Sequence, residues 1–257
     1  MKFSIITPSY RRYEKLVRAI DSLLHQTHNE WEMIIINDSP DDLSYLKIES
    51  NLQDSRIHYF VNTTNRGVNY SRNYAMDKVA VDSDWIIFLD DDDYLAPDAL
   101  SEVYTLIKQH TKVNWFVTNR AYTNGILVTN YPKNNTYYSY IWDCLLLKRC
   151  RGDATHIIRT STVRDVRYST KIKQAEEWIF YYQISLNDRL FYHSHNTTLT
   201  DGYDQVDGLN FRKRSTHEQI QTLKHFISEG KQLDLLYRPT FILYLCMRLL
   251  RSILKNK

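Results

Sequence analysis

The chain alternates short apolar, β-rich runs with stretches whose apolar residues recur at helical spacing. Phe3-Ser4-Ile5-Ile6-Thr7 is the first run, and Pro8 ends it because proline cannot donate to a sheet ladder. Leu16, Ala19, Ile20, Leu23 and Leu24 then fall on one helical face, with Arg12, Lys15, Arg18 and Asp21 on the other. Trp31 to Ile36 predicts a second strand ending at Asn37-Asp38-Ser39-Pro40. Strand, helix and strand at this spacing predict a parallel βαβ unit. Arg56 to Val61 predicts a third strand, followed by the polar 62–67 loop and a helix through Ser71, Arg72 and Asn73 to Val79. Trp85 to Leu89 is apolar at every position, the pattern of a strand buried on both faces. Pro97-Asp98 opens a helix in which Leu100, Val103, Tyr104 and Ile107 share a face. The expected fold is α/β, a Rossmann-like sandwich with a mostly parallel central sheet.

After residue 110 the alternation weakens. Strands are expected at 114–118, 125–128, 154–159 and 189–192, a loop or helix start over 131–142, and a helix over 174–186 around Trp178, Ile179, Tyr182 and Leu186. No linker rich in Gly, Pro or Ser separates this half, so it should pack on the same sheet. From Arg238 onward, Ile242, Leu245, Cys246, Leu249, Leu250 and Ile253 form an apolar stripe while Arg248, Arg251 and Lys255 share another face. That is a basic amphipathic helix, suited either to its own domain or to an anionic membrane surface, and the balance of charge and apolarity favours the membrane.

Composition narrows the partners. A net charge of +3 on 257 residues, with no basic block interleaved with aromatics, argues against nucleic acid. Cys144, Cys150 and Cys246 match no zinc or redox spacing and read as reduced thiols in the cytoplasm. The N-terminal apolar run is too short for a signal-peptide core, and no run is long enough to span a bilayer.

The candidate chemistry centres on Asp90-Asp91-Asp92-Asp93, which follow the fourth strand without a spacer. Strand ends at the rim of an open α/β sheet are where ligands bind. Four adjacent carboxylates beside a core need a cation or hydrogen-bond donors, and hard divalent metals suit such oxygen ligands. An EF-hand is excluded because Leu95 stands where that loop needs glycine.

Taken together, Phe3 to Tyr10, Ile35-Ile36-Asn37-Asp38, Gly67 to Asn73 and Leu89 to Asp93 resemble, in order and spacing, the family 2 glycosyltransferases of GT-A fold. The resemblance covers residues 3 to 110 well and continues more loosely to about 200. It implies an inverting, bacterial-type enzyme that moves a sugar from a nucleotide donor, UDP-linked, to a hydroxyl of a glycan or lipid-linked saccharide in surface polysaccharide synthesis. Residues 1–110 would then hold the nucleotide sugar, 111–215 the acceptor, and 216–257 a helical extension, placing the protein in the cytoplasm or peripherally on the inner membrane. By the same resemblance Thr7, Pro8, Tyr10, Asp38, Arg72, Asp90 and Asp91 line the donor. Asp38 matches the position that holds the base, and Arg72 the arginine near the diphosphate. The resemblance puts Mn²⁺ or Mg²⁺ on Asp90 and Asp92, with His195 a further candidate ligand; Asp93 is read as capping the helix region that follows. Glu177 matches the base that deprotonates the acceptor, with Glu176 its alternative. A carboxylate also forms turns at strand ends, so Asp38 admits a purely structural reading. Two other functions compete: a nucleotidyltransferase, against which the glycine-free Thr7 to Arg12 loop argues, and a catalytically silent module that binds sugar nucleotide or glycan.

Overall fold

A computed structural model describes residues 1–171, 177–201 and 215–255 of the chain. Among the described residues nine strands form one sheet: β1 (Phe3–Ser9), β2 (Trp31–Asn37), β3 (Ile57–Val61), β4 (Trp85–Phe88), β5 (Asp93–Leu95), β6 (Trp115–Tyr122), β7 (Thr136–Tyr138), β8 (Ala154–Arg159) and β9 (Leu190–Thr200). Their order is β3-β2-β1-β4-β8-β6-β9-β5, with β7 on β9. The first four strands are parallel, as the βαβ pattern requires. Beyond β4 the sheet is mixed: β8 runs antiparallel to β4 and β6, whereas β9 is parallel to β6 and takes β5 and β7 antiparallel. The mostly parallel sheet therefore describes the N-terminal half, because only there does each strand return through a crossover helix.

Side chains alternate across the strands and build two cores. Phe3, Ile5, Met33, Ile35, Trp85 and Ile87 face α1 (Tyr13–Leu24) and α3 (Ala99–Gln109), meeting Leu16, Ile20, Leu100 and Val103. Ile6, Ile34, Ile36 and Ile86 face the other way, towards Ala75 and Met76 of α2 (Val68–Met76) and Phe180 and Ile184 of α4 (Trp178–Ile184). Helices on both faces complete the three layers.

Three local expectations change. Residues 125–128 form no strand; the chain turns at Gly125 and returns through the Ala121–Leu127 bridge. Residues 131–142 contain β7 and the start of a π-helical turn, Tyr140–Leu146. The unexpected three-residue β5 exists only because β9 pairs with it, Asp93 opposite Thr200.

The extension is α5 (Thr216–Gln232) and α6 (Pro239–Lys255). Phe241, Tyr244 and Leu245 of α6 pack with Phe226 of α5 around Trp178. This buried face is rotated from the predicted stripe: Leu245 is buried, but Ile242, Leu249 and Leu250 face solvent. The large rings at 241 and 244 have more apolar surface to bury and turn the helix towards Trp178. No helix among the described residues is long and apolar enough to cross a membrane. The helices approach closely at Gly230, where an added Cβ would lie 2.5 Å from the Phe241 ring. Gly230→Ala is therefore expected to lower the melting temperature, overpacking costing about 1–3 kcal/mol against the roughly 1 kcal/mol that alanine gains in helix propensity. Thermal denaturation checks the sign.

Candidate active site

In the order β3-β2-β1-β4, successive crossovers reverse direction between β1 and β4, and a crevice opens outside the strand ends at such a switch point. β1 delivers Ser9 to Arg12 there, β2 delivers Asp38, and β4 the four aspartates. The resulting cleft has a volume of about 1530 Å³.

Each acid meets a guanidinium. Asp90 Oδ1 accepts from Arg72 Nη2 at 2.7 Å and Asp93 Oδ1 from Arg120 Nη2 at 2.6 Å. Arg12 Nη1 donates to Asp92 Oδ2 at 2.8 Å and to Asp91 Oδ1 at 3.3 Å. Asp91 also turns back onto the first strand, its Oδ2 accepting from Ser9 Oγ at 2.8 Å and the Tyr10 N–H at 3.1 Å. Arginines thus supply much of the compensation that the acidic run demands. Protons supply more: burial pushes Asp91 up to about 7 despite Arg12, and Asp93 up to about 8 despite Arg120. Asp90 moves the other way. Burial opposes its charge, yet Arg72 and Arg120 together hold its carboxyl below the ordinary value of 3.8.

Carboxylate oxygens of Asp90, Asp92 and Asp93 lie within 4.8 Å of one another. Hard oxygen donors at this spacing fit Mg²⁺ or Mn²⁺, and the side chains of Asp90 and Asp92 remain 39% and 22% exposed for a phosphate to approach. Asp93 thus joins the acids instead of capping the following helix, because β5 pairing turns it inwards; Asp98 precedes α3 and its side chain caps nothing. His195 is not brought to the acids. β9 slips register against β6 after His193, and His195 lies near Glu102 of α3, outside the residues lining the cleft.

Of the donor-side candidates, Pro8, Tyr10, Asp38, Arg72, Asp90 and Asp91 line the cleft, whereas Thr7 is fully buried in β1. Asp38 is also buried. Its Oδ1 accepts from Asn62 Nδ2 and the Arg66 N–H, and its Oδ2 from the Gly67 N–H, all at 2.7 Å. It therefore ties down the loop before α2, where Gly67 adopts φ 87°, a backbone glycine accepts without strain. Oδ2 keeps a second lone pair for a ligand donor.

Arg72 lines the cleft as well. It is 4% exposed and both terminal nitrogens are taken by acids, Nη2 by Asp90 and Nη1 by Glu177 Oε1 at 2.5 Å. Its effect is to fasten Glu177, just before α4, to the acidic cluster ending β4. Burial raises the Glu177 carboxyl above its ordinary 4.5; Arg72 opposes this and Asp90 adds to it. Glu176 lies outside the described residues.

Arg12 and Arg120 were missed from the sequence. The Arg11-Arg12 pair after the first strand was a visible signal, but nothing local marks Arg120, which only the pairing of β6 and β9 brings to Asp93.

The family model described as Glycosyl transferase family 2 matches residues 4–171. WcaA of Escherichia coli K12, named as a colanic acid biosynthesis glycosyl transferase, is 34% identical over 139 residues, 51% of this chain and 49% of that protein. A Campylobacter jejuni protein named GalNAc(5)-diNAcBac-PP-undecaprenol beta-1,3-glucosyltransferase is 36% identical over 103 residues, 39% of this chain and 32% of its own length. The chain spans half or less of these curated relatives. The crystal structure of S. aureus TarS 1-349 in complex with UDP-GlcNAc superposes with a TM-score of 0.69 at 19% identity, covering 88% of this chain and 67% of that one.

Proposed function

The chain belongs to the family 2 glycosyltransferases, of GT-A fold, and on that premise we propose that it transfers a sugar from a UDP-linked donor to a hydroxyl of a glycan or lipid-linked saccharide, with inversion, in bacterial surface polysaccharide synthesis. One observation carries the reading: Arg72 holds Glu177 and Asp90 at its two ends, within one cleft. A proton acceptor and the diphosphate-side acids are thereby set at a fixed relation. UDP is favoured because crystal structures of TarS 1-349 are complexes with UDP and with UDP-GlcNAc. Polysaccharide synthesis is favoured by the relatives' names.

In this reading residues 1–110 hold the donor and 111–215 shape the acceptor side. Asp38 Oδ2 accepts the uracil N–H, while Pro8 and Tyr10 line the nucleotide. Glu177 takes the proton from the acceptor hydroxyl as its oxygen bonds to the anomeric carbon, and the bond to UDP breaks with its electron pair leaving on the diphosphate. A divalent cation on Asp90 and Asp92 would supply neutralisation of the charge growing on that diphosphate. Arg72 keeps the Glu177 carboxylate oriented. The outer face of α6, with Ile242, Leu249, Leu250 and Arg251 exposed, would rest on the cytoplasmic face of an anionic membrane.

Thermal shift with a panel of UDP-sugars tests the reading. At a hundred times Kd a ligand adds about 2.7 kcal/mol, or about 5–10 °C for a domain of this size. The shift should need Mn²⁺ or Mg²⁺, and Asp92→Asn should abolish the metal-dependent part. Absence of any shift across the panel would overturn the proposal.

A further inference from the structure

Trp115, fully buried in β6, begins a stack of rings that reaches from the core to the cleft. Its indole lies on Tyr181 of α4, with centroids 5.7 Å apart and planes inclined by 13°, and Tyr181 lies in turn on His156 of β8 at 4.1 Å and 20°. Trp115 also reaches His156 directly, its Nε1–H donating to His156 Nδ1 at 3.0 Å. An indole nitrogen can only donate, so Nδ1 keeps its lone pair and the ring proton sits on Nε2. The imidazole is therefore neutral. Burial acts in the same direction, pushing its pKa down to about 3. The two ring nitrogens point in roughly opposite directions. With Nδ1 turned towards the core, Nε2–H points away from it, and His156 is part-exposed and lines the cleft. Among the described residues no group accepts from Nε2.

The place of this donor gives it a task. β8 runs antiparallel to β4 and their last paired couple is Ile87 with Ile157, so His156 stands beside Phe88, two residues before Asp90. Phe88 lines the cleft too. On the helix side Tyr181 is one turn on from Glu177, its N–H donating to the Glu177 carbonyl at 3.2 Å, and both Glu177 and Arg72 act electrostatically on its hydroxyl. His156 thus lies between the acids that follow β4 and the carboxylate just before α4. Inversion sets the leaving group and the attacking oxygen on opposite faces of the anomeric carbon, so the sugar in transit occupies that interval.

We propose that His156 holds the transferred sugar: its Nε2–H donates a hydrogen bond to an oxygen of that sugar and makes no contact with the nucleotide. This rests on the glycosyltransferase reading and supplies the sugar contact which that reading leaves open. A ring clamped by Tyr181 and Trp115 needs no reordering when the ligand arrives, so little of the bond is lost to entropy. The cleft volume of about 1530 Å³ exceeds the roughly 300–1,000 Å³ of a single small-molecule site. A sugar at His156 therefore leaves room for an acceptor towards Tyr244 and Arg248 of α6, which line the cleft because the packing of Phe241 on Trp178 turns them inwards.

Calorimetry on the full chain with Mn²⁺ tests the proposal, with UDP, UDP-glucose, UDP-galactose and UDP-GlcNAc titrated into wild-type protein, His156→Phe and His156→Gln. Phenylalanine keeps a ring on Tyr181 and removes both nitrogens. Glutamine can accept from Trp115 through its carbonyl and donate through its amide where Nε2 stood. For the sugar that wild-type protein binds most tightly, the ratio of UDP-sugar to UDP affinity should fall about three- to tenfold in His156→Phe, the worth of one neutral hydrogen bond, with UDP affinity unchanged. His156→Gln should recover most of that ratio, which a merely structural role would not predict. Because phenylalanine strands the Trp115 N–H and can impair folding, imidazole ¹⁵N spectra of the wild-type protein with Mg²⁺ give a second measurement, His156 being assigned from the resonances missing in His156→Gln. They should show the Nε2–H tautomer, and its Nε2 signal should move with the UDP-sugar and stay in place with UDP. An unchanged ratio in His156→Phe, a glutamine variant no better than phenylalanine, an equal loss of UDP affinity, a proton on Nδ1, or wild-type binding of UDP with none of the UDP-sugars would overturn this proposal alone. If wild-type protein binds neither UDP nor any UDP-sugar, the glycosyltransferase reading itself fails and takes the proposal with it.

Discussion

Glu177→Gln should lower sugar transfer by about 10²–10⁴-fold, the range a positioned general base contributes, while UDP-sugar affinity stays close to wild type. The amide matches the carboxylate in shape and still accepts from Arg72 Nη1, so the fold around α4 should survive. Only the capacity to take a proton is lost. The pH profile gives an independent reading. The base works ionised, and burial raises the Glu177 carboxyl above 4.5, so kcat/KM should fall as pH drops through a value above that ordinary one. The variant should lack this acidic limb. Unchanged turnover in Glu177→Gln would move the role to its neighbour Glu176.

Arg72→Met should reduce transfer about as severely as loss of Glu177, although in the structure Arg72 donates to two protein acids. Removing it leaves Asp90 and Glu177 facing each other without their shared cation. Each acid keeps about a third of its side chain in water, 39% and 34%, so the stability cost should be roughly 1–3 kcal/mol, below that of a fully buried broken pair. A positioning residue acts through the group it positions. The Arg72→Met, Glu177→Gln double variant should therefore be scarcely worse than either single variant, a non-additivity that independent roles would not give. Arg72→Lys keeps the charge but offers no planar fork, and should recover stability better than turnover. If Arg72→Met instead raises KM for the donor with kcat unchanged, the arginine binds diphosphate directly, as the resemblance first implied.

How far these residues could be read from the chain depended on the range of the interaction involved. Phe3 to Thr7, Trp31 to Ile36 and Trp85 to Leu89 are visible because burial on both faces demands unbroken apolar runs. Their parallel pairing follows from the helices between them. Asp38 and Asp90 to Asp93 stood out because charge directly after such a run is conspicuous. The π-helical turn, β5 and the bulge at His195 left no such mark, since each is created by a partner strand or helix distant in sequence.

Sequence alone determined the parallel half of the sheet, the helices on its faces and the delivery of acids to one edge, since these rest on local periodicity and on the chirality of βαβ crossovers. The tertiary structure decided how the charges are matched. Arg12 goes to Asp91 and Asp92, Arg120 to Asp93, and Arg72 to both Asp90 and Glu177, across separations of up to 105 residues. It also turned Arg248 inwards by burying Phe241 and Tyr244 against Trp178. Periodicity reports which face of an element is apolar, whereas the partner of a charge depends on what the assembled sheet sets beside it.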